Sequence, residues 1–375
     1  MKMATPEATH APGDVTGQSI KLPRVPEDVT ASWLAQVLGT KVKSAKLDKI
    51  LPGTASKLYV TVEYEADDDD DDAVVNDKAA SRPTHLCLKG AFDPAFVEQR
   101  PWIVMVYQRE VDFFNRVAPS LDHMGIPKSW WAGYNAEQGI VIMDDLATQG
   151  CEFGDPTEEW PVSQVLAGVE QLAALHAKTW GVKPSDFPWL TSDYDLAILH
   201  LMESYETVVN SPGRPEIHDY LMSQARITAA LKKHYASRNP KFQCLLHGDP
   251  HTGNTYLDEG APRFLDWQII HIGSAFHDVA YFVGGALSIE DRRAHEWQIL
   301  DHYLATLEKL GAPAFSSKQE DVVEEYRKSF LAGIGWILCP YEMQVKERVQ
   351  AMAVRYATAL DDHRTLRLVE SLPDV

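Results

Sequence analysis

Leu245-Leu246-His247-Gly248-Asp249-Pro250-His251-Thr252-Gly253-Asn254, followed by Phe264-Leu265-Asp266-Trp267, is the stretch on which the reading of this chain turns. An apolar run feeds a loop dense in His, Asp and Asn. A second apolar run then ends on another carboxylate. Carboxylates at the ends of two buried strands are costly unless they are paired or bound to metal. This arrangement therefore reads as a working loop rather than a connecting one.

The spacing has a chemical use. Phosphoryl transfer from ATP needs a carboxylate to orient and deprotonate a hydroxyl, and oxygen ligands for Mg²⁺. The pattern His-x-Asp-x-x-x-x-Asn supplies both from one loop, and the following hairpin supplies a second ligand. Asp249 takes the place of the base, with Asn254 and Asp266 as the Mg²⁺ ligands. Two protein oxygens suffice, because magnesium keeps several waters and takes phosphate oxygens as well.

Upstream of the loop the pattern divides in two. A helix is expected from Pro26, with Thr30 or Ser32 as cap, a stripe of Trp33, Leu34, Val37 and Leu38, and Gly39 as its end. Strands are expected at 42–51, 58–65 and 84–89, a helix at 102–117, and a hairpin from 130–134 and 139–143. Beyond Leu146 helical spacing dominates, at 162–180, 195–209, 216–236, 275–287, 290–310, 318–338 and 343–365. Only 243–246, 255–257 and 263–265 read as strands there. The expectation is a mobile tail over 1–22, a small β-rich lobe over 23–145 and a large helical lobe over 146–375. Asp67 to Asp72, six aspartates in a row, read as a solvated loop between strands.

Composition narrows the function. The chain has 375 residues, 45% apolar and 24% charged, with 54 acidic against 35 basic side chains and a formal net charge of −19. Nucleic acid is a poor partner for such a balance, since phosphate binding draws on surplus Lys and Arg. An anionic membrane surface is disfavoured for the same reason, and no apolar run approaches the roughly 20 residues of a membrane span. The first thirteen residues lack the apolar stretch of a secretory signal. The four cysteines are far apart and form no Cys-x-x-Cys pair, which disfavours zinc and disulfide scaffolds and points to the cytoplasm.

Three motifs together, residues 247–254, Leu265-Asp266-Trp267 and Asp278-Val279-Ala280-Tyr281, resemble the aminoglycoside phosphotransferase and choline kinase-like superfamily, closest in flavour to the ecdysteroid kinase-like small-molecule kinases. Residues 140–146 resemble that family's strand-and-hinge segment and 172–180 its first large-lobe helix. The resemblance implies an α+β, bilobal protein kinase-like fold, with a small β-rich N-lobe and a large, mostly helical C-lobe. It implies an ATP- and Mg²⁺-dependent O-phosphotransferase acting on the hydroxyl of a small-molecule alcohol. Lys89, at the end of a strand, would meet the nucleotide phosphates. Glu110 on the next helix would be its ion-pair partner, with Glu98 as the weaker alternative. Ser56, after the turn that begins at Gly53, would touch phosphate, and the segment holding Asp144 and Leu146 would present its backbone to adenine. His247 would hold the loop by hydrogen bonds and His176 would be a packed core histidine. Asp278 would cap its helix or support the loop.

Rival readings stay open at this level. They are a hydroxyacyl-CoA kinase, a choline- or aminoglycoside-type kinase, and a nucleotide-binding pseudokinase scaffold. The short segment between Asp266 and Asp278 leaves no room for a long activation segment, which disfavours a protein substrate. Trp189, Tyr194, Tyr205, Trp336 and Tyr341 could line an acceptor pocket or be plain core.

Overall fold

A computed structural model of the chain describes residues 20–66, 82–190 and 193–373. The aspartate run and all but the last residues of the expected tail lie outside them. Leu22, at the end of that tail, is buried in the core of the N-terminal sheet. The chain divides into two compact units, one of residues 1–119 with 127–150 and one of 120–126 with 151–375.

Among its described residues the first unit is an antiparallel sheet with three α-helices. Helix α1 (Ala31–Leu38) starts where the Thr30 hydroxyl accepts from the Trp33 N–H and stops at Gly39, whose φ of 66° closes the last turn. Its apolar stripe of Trp33, Leu34 and Val37 packs on the sheet. Strands β1 (Val42–Leu51), β2 (Ser56–Tyr64) and β3 (His85–Gly90) follow. Next come α2 (Pro94–Gln99) and α3 (Ile103–Asp112), then β4 (Ser129–Tyr134) and β5 (Gly139–Asp144).

The strand order is β1-β2-β3-β5-β4. Central strand β3 is buried from Leu86 to Gly90, and its Lys89 stands opposite Lys57 on β2 and Val141 on β5. Gln138 fastens the end of this strand. Its amide accepts from Ala91 N–H and donates to the carbonyls of Ala91 and Pro23.

In this unit two local expectations need correction. The helix expected over 102–117 is α only to Asp112. Phe113–Val117 forms a wider π-helical turn, which the Asn115 amide ties to the Ala132 carbonyl of β4 at 3.1 Å. Helix α2 was not expected, although Asp93 caps it by accepting from the Phe96 N–H and Pro94 occupies its first turn.

Among its described residues the second unit is helical around two small sheets. Its elements are β6 (Glu152–Phe153), α4 (Val162–Lys178), α5 (Tyr194–Leu201), α6 (Tyr205–Val209), α7 (Gln224–Ala236) and β7 (Gln243–Leu246). They continue with β8 (Thr255–Asp258), β9 (Ala261–Phe264), β10 (His271–Ser274), α8 (Ala275–Ala286) and α9 (Ile289–Lys309). The last are α10 (Glu320–Ser329), α11 (Ile334–Ile337), α12 (Lys346–Asp362) and α13 (Thr365–Ser371). Every residue of α8 is buried, so this helix is the axis of the unit and α4, α10 and α12 pack around it.

The pairings are β10-β7 and β6-β8-β9. Neither β6 nor β10 was expected, because strands of two and four residues carry too few alternations to be read. The helix expected over 343–365 ends at Asp362, and Arg364, with a φ of 49°, turns the chain into α13.

Candidate active site

Strand β7 delivers the chain into the loop of residues 247–254. The loop opens with Gly248 at φ +85°, a conformation open to glycine and costly to other residues. A Cβ there would also stand 2.4 Å from the Ile269 carbonyl oxygen. His247 then ties the loop to the following hairpin. Its Nδ1 accepts from the Asp249 N–H at 3.2 Å, so the proton sits on Nε2, which donates to the Leu265 carbonyl at 2.9 Å. Burial lowers the pKa of this imidazole, in keeping with a neutral, structural ring.

The Asp249 carboxylate is met on both oxygens. Oδ1 accepts from the Tyr281 hydroxyl at 2.6 Å. Oδ2 accepts from Asn254 Nδ2 at 3.0 Å, and the same NH₂ reaches the Asp249 carbonyl at 3.0 Å. His251 Nε2 lies 3.6 Å from Oδ2, while its Nδ1 accepts from the Gly253 N–H. Burial raises the pKa of Asp249, but the neighbouring His251 and the phenol of Tyr281 outweigh it and hold the carboxyl below its ordinary value. The group is therefore an anion at neutral pH with its rotamer fixed.

Asn254 and Asp266 are joined through the β8–β9 hairpin. Thr255 stands opposite Phe264, and the Leu265 N–H donates to the Asn254 carbonyl at 2.7 Å. This brings the two candidate ligands to the base of one hairpin. Asp266 adopts φ 66° and ψ 72°, a left-handed conformation uncommon for a non-glycine residue and concentrated at functional sites. Asn254 commits its NH₂ to Asp249, so its amide oxygen is the atom left for a ligand. Among the described residues no three His, Cys, Asp or Glu side chains converge on a cation. The Asn254 amide oxygen and the Asp266 carboxylate are two oxygen donors of the kind an ion such as Mg²⁺ could take beside waters and phosphate oxygens.

Helix α8 grips the loop from below. Asp278 is fully buried and accepts from the N–H groups of His247 at 2.7 Å and Gly248 at 3.0 Å. It also accepts from His176 Nε2 at 3.1 Å, and the Tyr303 hydroxyl lies 2.8 Å from His176 Nδ1. Burial raises the Asp278 pKa, but His176 and the other imidazoles reverse this and bring it to about 2. His277 Nε2 adds a contact to the Gly248 carbonyl at 3.2 Å. Thus Asp278 supports the loop and does not cap its helix, whose N-cap position belongs to Ser274. His176 is buried as expected, but as a member of a polar chain and not as mere packing.

In the first unit, Lys89 Nζ and Glu110 Oε1 form an ion pair of 2.8 Å, with both side chains about 4% exposed. Glu98 lies on α2, a different helix. Ser56 begins β2 opposite Gly90, beside Lys89. The turn before it is tied to α3, where the Tyr107 hydroxyl donates to the Thr54 carbonyl. Asp144 lies farther along the sheet, opposite Leu86, and accepts from Trp130 Nε1 at 2.6 Å. Asp145 caps the short 3₁₀ turn Leu146–Gln149, and Leu146 is buried.

The structure thus pairs Lys89 with Glu110 in one unit, while Ser56, opposite Gly90, starts on the other face of the sheet from Lys89; Asp249, Asn254 and Asp266 come together in the other unit. Sequence reasoning missed Gln138 and gave no role to Tyr281 or His277. Asp278 and Tyr281 stand three apart on α8 and so share a face, a spacing that could have identified Tyr281. Of the proposed pocket aromatics, Tyr205 is core, bonded to the Leu221 carbonyl, while Tyr194 stacks on His271 with centroids 4.1 Å apart.

Residues 241–374, which hold the whole Asp249 loop, match a family described as "Uncharacterized oxidoreductase dhs-27". The "Uncharacterized kinase-like protein D1044.1" of Caenorhabditis elegans is 26% identical over 181 residues, 45% of this chain and 47% of the relative. The chain thus spans about half the length of the curated relative it matches. A choline kinase from Cryptosporidium parvum superposes with a TM-score of 0.54 at 12% identity, over 92% of this chain and 93% of that one. An ethanolamine kinase from Plasmodium vivax gives 0.50 at 11% identity, over 86% and 83%. At such identities the likeness is one of fold, and the α+β kinase-like fold expected from the three motifs is borne out.

Proposed function

We propose that this chain, which has the fold of choline and ethanolamine kinases, is an ATP- and Mg²⁺-dependent phosphotransferase acting on the hydroxyl group of a small molecule. The observation that carries the reading is the Asp249 loop. It holds an ionised carboxylate in one orientation and places Asn254 and the strained Asp266 at the base of the adjoining hairpin. Such a constellation serves a reaction in which positioning and charge neutralisation account for nearly all of the rate.

Asp249 accepts the hydrogen bond of the acceptor hydroxyl and aligns its oxygen for attack. With its pKa held low, it is a weak base, so the proton leaves late, as a loose transition state allows. Asn254 and Asp266 would hold the magnesium ion, which neutralises phosphate charge when bound. Lys89, fixed by Glu110, binds the nucleotide phosphates. Ser56 and the backbone around Asp144 and Leu146 complete the nucleotide contacts. The "oxidoreductase" in the matched family's description finds no counterpart in a dinucleotide fingerprint, since the chain contains no Gly-x-Gly-x-x-Gly. Among the described residues no helix is long and apolar enough to cross a membrane, and all four cysteines are free. A reducing, ATP-rich cytoplasm suits this chemistry.

The test is thermal stabilisation by Mg²⁺-ATP, followed by an ATP-consumption screen over a library of alcohols. The expected result is stabilisation that needs the metal and turnover on at least one alcohol. Stabilisation without turnover on any alcohol would favour a nucleotide-binding scaffold.

A further inference from the structure

Helix α8 meets the loop residue by residue. His277 contacts the Gly248 carbonyl, Asp278 receives the His247 and Gly248 N–H groups, and Tyr281 reaches the Asp249 side chain itself. The first two of these residues fix backbone, through three contacts. Only Tyr281 acts on the carboxylate that the proposed reaction uses. Its ring is 6% exposed and belongs to a cluster with Trp336, Val349, Met352 and Tyr356. The Tyr356 hydroxyl donates to the Tyr281 carbonyl at 2.5 Å, and the rings of Tyr281 and His277 lie parallel to within 5°. The phenol thus has little freedom and one acceptor, Asp249 Oδ1.

From this geometry we infer that Tyr281 is a positioning residue, whose hydroxyl pins Oδ1 of Asp249 so that Oδ2 is the oxygen presented to the acceptor. The inference rests on the kinase reading for its catalytic meaning, and on the hydrogen bond alone for its structural content. A carboxylate with two equivalent free oxygens samples several rotamers, each presenting a different lone pair. Fixing one oxygen from behind and steadying the other through Asn254 leaves a single direction of approach, and small losses of alignment at the reacting atom cost orders of magnitude in rate. A phenol suits this task because its donor lies at the end of a rigid, buried ring with few torsions to fix.

The experiment compares the full chain, Tyr281→Phe, Asp249→Ala and the double variant. Phenylalanine keeps the ring and its packing, so melting temperatures should stay close to the parent. The first readout is Mg²⁺-ATP hydrolysis with water as acceptor. Tyr281→Phe should lower kcat roughly ten- to a hundred-fold, the range expected for a lost hydrogen bond to a charged group, and leave KM for ATP unchanged. Adding Tyr281→Phe to Asp249→Ala should cost nothing further, because the group it orients is gone.

The second readout does not depend on activity. A shielded phenol donating to a carboxylate gives a downfield hydroxyl proton resonance, which should be present in the parent and lost in both single variants. Parent-like kcat in Tyr281→Phe, or an equal loss in both backgrounds, overturns the inference. So does the lack of that resonance in the parent. If the parent hydrolyses no ATP, the kinase reading is in question. The resonance then decides the placement of Tyr281 by itself.

Discussion

Replacing Asp278 with asparagine should destabilise the second unit in a way that depends on pH. The side chain is fully buried and receives three donors, two loop N–H groups and His176. An amide of the same size keeps one oxygen, but it loses the charge and turns an NH₂ toward groups that are themselves donors. His176 and the neighbouring imidazoles hold the folded-state pKa at about 2, below the 3.8 of an ordinary aspartate. At 1.36 kcal/mol per unit, that difference corresponds to about 2 kcal/mol of stability at neutral pH.

The sign follows from the depressed value. Above about pH 5 both folded and unfolded chains hold Asp278 ionised, and the full contribution is present. As pH falls toward 2 the unfolded chain takes up the proton first, and the contribution fades. Urea unfolding of parent and variant between pH 7 and pH 3 should show a gap of at least about 2 kcal/mol that narrows on acidification. Amide exchange at His247 and Gly248 should speed up in the variant. A gap that stayed constant over this range, or unchanged exchange at those two amides, would refute the assignment of Asp278 as the loop's charged anchor.

Lys89→Met should abolish most ATP turnover and Glu110→Gln should cost less. The double variant should be hardly worse than Lys89→Met, since the 2.8 Å pair orients one lysine; strictly additive losses in a double-mutant cycle would show independent action. Asp266→Ala should raise the Mg²⁺ concentration needed for ATP-dependent thermal stabilisation, and Asn254→Ala should do so less strongly. Overlaid metal titrations of the variants and parent would remove both from the metal site. Gly248→Ala should cost more than the roughly 1–2 kcal/mol of a left-handed alanine, because its Cβ would stand 2.4 Å from the Ile269 carbonyl oxygen. Denaturant midpoints check this, and a parent-like value would contradict the loop geometry.

The long periodic elements were legible because each carries its own signal. Thr30 and Gly39 bracket α1, and β1, β2, β3 and β5 show runs suited to a sheet. The Asp249, Asn254 and Asp266 pattern could be read because loop spacing and hairpin return are local. Lys89 and Glu110 lie 21 residues apart, and their pairing came from resemblance, not from anything in either residue.

What escaped reading was tertiary. Strand β10 exists because Gln243–Leu246 needs a partner, and its four residues include a glycine that weakens any strand pattern. Gln138 looks like a turn residue until the chain returns Pro23 and Ala91 to it. The chain of Tyr303, His176 and Asp278 spans 127 residues of sequence, and only the packing of α4 and α9 beside α8 assembles it. Asp93 and Pro94 mark the start of α2, but its six residues are too short a span for periodicity to mark.

The most direct measurement of the central claim is phosphate transfer by Asp249→Asn beside nucleotide binding by the same variant. Asparagine preserves the shape at Asp249 and can still accept from Tyr281, but it cannot take a proton or carry the charge. Transfer to an acceptor found in the alcohol screen should fall by about 10²- to 10⁴-fold, while Mg²⁺-ATP stabilises the variant as well as it does the parent. A variant that transferred phosphate at a near-parental rate would remove Asp249 from the reaction and contradict the account.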